Sequence, residues 1–215
     1  MSIRTIDNLS TYLDSDLIWR KKELSALRFF IGQANNDQGR YRALSRCGIT
    51  MLYAHWEGFI KNASRGYLEY IAMQHLRNDE LTPNLLTLSL RSSVSFSSQS
   101  RKHSEYGKLT DFFLSGLSKH ARLPFKTGLD TESNLSSTVL KEITWCLGID
   151  YSPYVSKEKF IDSSLLARRN HIAHGQDIEI STSEFEEMRT IVIDMMTYLK
   201  TEIENSAIQR KFVKK

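Results

Sequence analysis

The sequence predicts an all-α fold, a bundle of long antiparallel helices with a less regular central insertion. Three observations predict it. Apolar residues recur at three- and four-residue intervals through both ends of the chain, as a helix with one buried stripe requires. Only three prolines and ten glycines interrupt 215 residues, too few for a sheet protein built on many tight turns. The one briefly alternating stretch, 92–100, is serine-rich and reads as a loop.

Each element has its own warrant. A first helix is expected from Asp7, as N-cap, to Ala34, burying Leu9, Tyr12, Leu13, Leu17, Leu24, Leu27, Phe30 and Ile31. The turn Asn35-Asn36-Asp37-Gln38-Gly39 leads to a second helix, Tyr41 to Arg77. Leu44, Cys47, Met51, Leu52, Ala54, Trp56, Phe59, Ala63, Tyr67, Tyr70 and Ile71 make that helix apolar around much of its girth, which predicts a central position. Its glycines, Gly48, Gly58 and Gly66, each cost about 1 kcal/mol against alanine, so close approach of another helix is their expected use.

Thr82-Pro83 starts a short helix through Leu90, with proline in the first turn. Residues 106–117 are expected to be helical and 122–134 a connector. Ser136 or Ser137 caps a helix that Gly148 ends. Another runs from about Ser156 to His174, ended by Gly175. An extended piece, 177–180, leads to a capping box, Ser183-x-x-Glu186, and a last helix with Phe185, Met188, Val192, Met195 and Leu199 on its apolar face. The domain reading is one domain over 1–215, with 79–134 an insertion or lid and 205–215 a basic tail.

Composition narrows the class. Hydrophobic residues make up 40% and charged residues 25%, as in an ordinary soluble domain. No apolar run approaches the ~20 residues of a membrane span, and the first residues lack the order of a signal peptide. Cys47 and Cys146 read as buried free thiols of a reducing cytoplasm. A net charge of +4 agrees with a polyanionic partner without requiring one. The tail cations Arg210, Lys211, Lys214 and Lys215 read as a solvated, frayed terminus.

One constellation can carry chemistry: Arg169-Asn170…His174, at the end of the penultimate helix, with Leu165, Leu166, Ile172 and Ala173 facing the core. Cleavage of RNA by its own 2′-hydroxyl needs proton transfer, stabilised charge on phosphorus and no external nucleophile. Imidazole transfers protons near neutrality. Guanidinium binds phosphate oxygens bidentately. Asparagine orients either partner, and only RNA supplies the hydroxyl. No metal or cofactor is called for. Spacing alone weighs little, since 15 arginines and 6 histidines give about 0.4 chance occurrences of Arg-x4-His. The structural alternative is a polar helix end with His174 set against the dipole.

In this all-α context, Arg169-Asn170-x-Ile172-Ala173-His174-Gly175 resembles the Arg-x4–6-His signature of the HEPN superfamily. Trp19-Arg20-Lys21-Lys22-Glu23-Leu24, with the stretch from Leu52 to Lys61, resembles one HEPN subgroup, the MAE_28990-like proteins of prokaryotic conflict and defence loci. The resemblance implies a HEPN-like helical bundle that dimerises and joins two motifs in one metal-independent endoribonuclease site. Arg169 and His174 would be catalytic, with Asn170 supporting. It also implies an RNA substrate, a homodimer with a composite site, and an antitoxin or sensor protein as partner. The alternative it allows is a non-catalytic module for RNA binding, dimerisation or docking in a defence complex.

Three residues stand as possible support. Arg168 satisfies the looser spacing to His174, so either arginine could face the phosphate. His171 flanks the site; with His174 it could in principle bind zinc, but no His-Glu-x-x-His or cysteine pair accompanies it. Glu57, near His55 in the central helix, could hydrogen-bond an active-site partner, or the two could form a polar pair within an aromatic helix. Trp19-Arg20-Lys21-Lys22 reads better as a solvated helix face than as a phosphate contact.

Overall fold

The computed structural model describes residues 2–34, 36–93, 103–130 and 134–215; most of the serine-rich stretch lies outside them. Among the described residues the regular structure is helical, and there is no β-strand. Helix α1 spans Ile6–Gln33 and α2 spans Gln38–Ala72. Next come a 3-10 turn at Asn78–Glu80, α3 (Pro83–Ser93) and α4 (His103–Asp111), which passes into a π-helical turn, Phe112–Gly116. The rest is α5 (Ser137–Leu147), the single turn α6 (Ser152–Val155), a π-helical segment Phe160–Leu166 continuing into α7 (Ala167–Ala173), and α8 (Thr182–Ile208).

The core is a triangle of α1, α2 and α8. Helix α1 runs antiparallel to α8, since Arg28 meets Glu186 at one end and Ser10 meets Glu204 at the other. The pairing of Gly48 with Phe185 near the starts of α2 and α8 means that those two helices run the same way, as does the approach of Tyr67 to Ser206 farther along. Leu9, Leu13, Leu17, Leu24 and Ile31 of α1 are buried, as the stripe predicts. On α8 the predicted positions Phe185, Met188, Val192, Met195 and Leu199 are buried too, each contributing about 1.5–3 kcal/mol by removal from water.

The glycines of α2 mark where its neighbours come closest. A Cβ on Gly48 would lie 2.9 Å from Ile31 Cδ1 and from Phe185 Cε2. One on Gly58 would meet the Arg20 guanidinium at 2.9 Å, and one on Gly66 the Tyr12 ring at 2.6 Å. All three serve helix approach, as their cost suggested.

Several expectations are corrected. Thr5, not Asp7, caps α1, accepting the Asn8 N–H at 3.1 Å; Asp7 sits in the first turn, where a carboxylate suits the dipole. Ser181, not Ser183, caps α8. Helix α2 ends at Ala72, short of Arg77. Phe30, Cys47, Ala54 and Ala173 are exposed. Helical rotation of ~100° per residue explains this where Ile31 and Gly48 hold the adjoining core positions. Cys146 is buried; both thiols are free.

The basic tail is docked, not frayed. Arg210 adopts φ +49°, reversing the chain so that Lys211 N–H bonds Ser206 O at 2.9 Å, as at a helix C-terminus. Phe212 is then buried against Tyr70. Thr82 N–H donates to Phe212 O and Lys214 N–H to Glu80 O, at 3.1 and 2.8 Å. The central region is tied back at its entry: Asn78 N–H donates to Lys119 O, and Ala121 N–H to Leu76 O, at 3.0 and 2.9 Å.

Glycine substitutions separate packing from propensity. Gly48→Ala is expected to destabilise by about 1–3 kcal/mol through overpacking against two fully buried side chains. Gly32→Ala, where a Cβ meets nothing within 4 Å, is expected to stabilise by about 0.5–1 kcal/mol. Urea midpoints that moved the same way for both would refute this reading of the packing.

Candidate functional site

The motif lies where a widened helix narrows and ends. Asp162, in the π-helical segment, accepts Ser137 N–H at 2.7 Å and Ser137 Oγ–H at 2.6 Å, pinning that segment to the positive end of α5. The segment then tightens to α geometry as α7, which carries Arg168 to Ala173. His174 is the C-cap; its N–H donates to Asn170 O at 3.0 Å, and Gly175 follows at φ +79°. Beyond, Asp177 pairs with Arg42 and Arg46, and Tyr41 Oη donates to Ile180 O at 2.8 Å. The chain leaving His174 is thus clamped to the start of α2.

The two adjacent arginines diverge. Arg168 Nη2 lies 2.5 Å from Glu184 Oε1 on α8, and its Nη1 reaches Met188 Sδ. Arg169 turns to α2: its guanidinium carbon lies 4.1 Å from the centroid of the Tyr53 ring, a cation–π contact. Arg169 Nη2 also donates to Asn134 Oδ1 at 2.8 Å. Tyr53 Oη in turn accepts the Leu135 N–H at 2.7 Å. Three distant parts of the chain therefore meet at Arg169.

Burial raises the Tyr53 pKa above its ordinary 10, against the pull of a hydrogen bond from Arg169, so the phenol stays neutral. Glu57, one turn along α2 and half-buried, also acts to raise it and accepts a hydrogen bond from Lys61 Nζ at 2.7 Å. Glu57 thus joins the Tyr53–Arg169 neighbourhood. Asn170 is half-buried, while His171 and His174 are exposed. On an ideal helix a separation of five residues turns His174 about 140° from Arg169. The guanidinium faces inward, and the imidazole outward.

His55 and Glu57 do not pair with each other. His55 is buried with its Nε2 2.9 Å from Glu23 Oε2 and its ring 5.1 Å from that of Trp19. Arg20 is not on a solvated face: it is 4% exposed, pairs with Asp16 at 2.9 Å and donates to His55 O at 3.1 Å. Arg20 of the N-terminal motif and His55 of the α2 motif thus meet in one buried polar contact, with Trp19 and Glu23 at its exposed edge. Among the described residues, no group of three or more His, Cys, Asp or Glu is gathered as a metal site, and no helix is long and apolar enough to cross a membrane.

Sequence reasoning missed Tyr53 and Asn134 as partners of Arg169. Tyr53 lay inside the quoted α2 motif without a role; Asn134 carried no signal. The burial of Arg20 did carry one: it fills the register between Leu17 and Leu24, where the stripe calls for a core residue.

The all-α bundle is the fold of a HEPN domain, a class generally ribonuclease-like or RNA-related. A family model described as RiboL-PSP-HEPN matches residues 15–205, and the chain belongs to that family. That description differs from the MAE_28990-like subgroup which the N-terminal motifs resemble. No curated protein and no solved structure matches the chain.

Burial holds the His55 imidazole below its ordinary pKa of 6.5, against the opposing pull of Glu23 and with Arg20 adding to the depression. The folded state therefore refuses a proton that the unfolded chain accepts as pH falls through 6.5. The associated stability is complete above that pH and is lost below it. Between about pH 7.5 and about pH 5.5, wild type is expected to lose more stability than His55→Gln in urea unfolding. Equal losses, or an imidazole proton resonance titrating above 6.5, would contradict this.

Proposed function

We propose that the protein is a metal-independent endoribonuclease of a toxin or antiviral defence system, acting through Arg169, Asn170 and His174. The observation that carries the proposal is the motif's state at the end of α7 in a HEPN domain. Its imidazole is exposed to solvent, and its arginine is held in one orientation by Tyr53 and Asn134.

In the proposed reaction the RNA's 2′-oxygen loses its proton to a base and attacks phosphorus, and the 5′-oxygen leaves with a proton from an acid. The products are a 2′,3′-cyclic phosphate and a free 5′-hydroxyl. His174 serves as the general acid or base. Arg169 stabilises the charge gathering on the phosphate oxygens, and Asn170 orients the imidazole on its own side of the helix. Because guanidinium and imidazole face different ways within one chain, a composite site fits the geometry: two protomers face each other, as the family resemblance implies. Free activity would harm its host, so an antitoxin or sensor protein is the expected restraint.

A second reading is favoured by one observation. Arg169 already has protein partners in Tyr53 and Asn134, which suits a non-catalytic module for RNA binding, dimerisation or docking. Labelled RNA and matched DNA incubated in EDTA with wild type and His174→Ala decide between them. The expected result is cleavage of RNA alone, ending in cyclic phosphate and reduced about 10²–10⁴-fold in the variant. Intact RNA at high protein concentration would select the binding module.

A further inference from the structure

A row on α2 leads away from Arg169. Tyr53, Glu57, Lys61 and Arg65 follow at four-residue intervals, each step turning about 40°, so the row winds from the buried Tyr53 out to the exposed Arg65. The row ends in a groove of about 630 Å³. Lys61 and Arg65 form one wall, with Arg91 near the end of α3 and Lys126 completing the cationic lining. Lys126 sits in a turn closed by the Gly128 N–H on Pro124 O at 2.8 Å, with Gly128 at φ +72°. Among the described residues, four cations therefore line the groove with one carboxylate, Asp130; Lys61 is already paired with Glu57 at 2.7 Å.

Several of the chain's arginines are used differently. Arg20, Arg28, Arg42, Arg77, Arg168 and Arg189 each meet a carboxylate. Arg65, Arg91 and Lys126 are exposed and, among the described residues, form no ion pair. Cations left together in a concave surface repel one another and concentrate positive potential there, which a polyanion would relieve. Among the described residues the lining is cationic and polar with no aromatic side chain, which suits contacts to phosphates.

We propose that this groove binds the backbone of single-stranded RNA flanking the bond presented to Arg169. The identity of the polyanion rests on the ribonuclease reading; the site itself does not. Lys61 and Arg65 lie about 12 and 18 Å along the helix from Tyr53. The Debye length in physiological salt is about 8 Å, so these cations act on the strand they touch rather than on the reacting phosphate. The groove contributes affinity that is independent of sequence and sensitive to salt.

The test uses labelled single-stranded RNA and fluorescence anisotropy across a salt series, in the His174→Ala background so that the probe survives. Adding Arg65→Gln with Lys126→Gln is expected to weaken binding at least tenfold near 0.1 M salt and to lower the log–log salt slope by about 0.7 per contact removed. Removing the same charge at Lys214 and Lys215 is expected to leave the slope nearly unchanged. Unaltered affinity and slope in the groove pair, an equal effect from the tail pair, or no salt-dependent RNA binding at all would overturn the proposal. With an active histidine, the groove pair is expected to act on KM rather than kcat. Cleavage with unchanged KM sinks the groove and spares the nuclease, whereas groove-dependent binding without cleavage does the reverse.

Discussion

The approach of α1 and α8 to α2 depends on three glycines whose missing side chains are replaced by Ile31 and Phe185, Arg20, and Tyr12. Helix α2 is consequently wrapped on most of its circumference, and little of it can move without opening the core. This fixes Tyr53, which in turn gives Arg169 a face to rest on. The candidate site is thus a consequence of helix packing at one remove: the glycines set the bundle, and the bundle sets the tyrosine.

The charges fall into groups of unequal weight. Arg20 is buried and Asp16 largely so, and the pair shares further hydrogen bonds with His55 O and Asn62. Removing one partner of such a pair typically costs about 3–5 kcal/mol because the other is left uncompensated. The exposed ties from Asp177 to Arg42 and Arg46 are each worth about 0–1 kcal/mol. They act in sum, with Tyr41, to hold the chain that follows His174. The buried pair belongs to the fold, and the exposed ties to the placement of the motif.

Much of this was legible in sequence because it is local. The stripes of α1 and α8, the girth of α2, the approach glycines and the Gly148 stop all follow from spacing within a few turns. What was hidden is non-local. Arg169 finds Asn134 at a separation of 35 residues, and Leu135 finds Tyr53 at 82; neither leaves a periodic trace. The tail misled for the same reason: its four cations are exposed as expected, but Phe212 among them is buried against Tyr70 and bonded by Thr82, more than a hundred residues away. Caps were misplaced by two residues because Thr5 and Asp7, like Ser181 and Ser183, both have the chemistry of a cap, and only backbone geometry chooses between them.

In the proposed reaction, the Tyr53 ring serves to orient Arg169. A double-mutant cycle of Tyr53→Leu and Arg169→Lys, read as chelator-resistant RNA cleavage, tests it most directly. Lysine keeps the charge but gives up the planar fork and much of the stacking. Tyr53→Leu is expected to impair cleavage strongly in the wild-type background and to add little once Arg169 is lysine. Losses that simply multiply would contradict it, showing that the tyrosine and the arginine act independently.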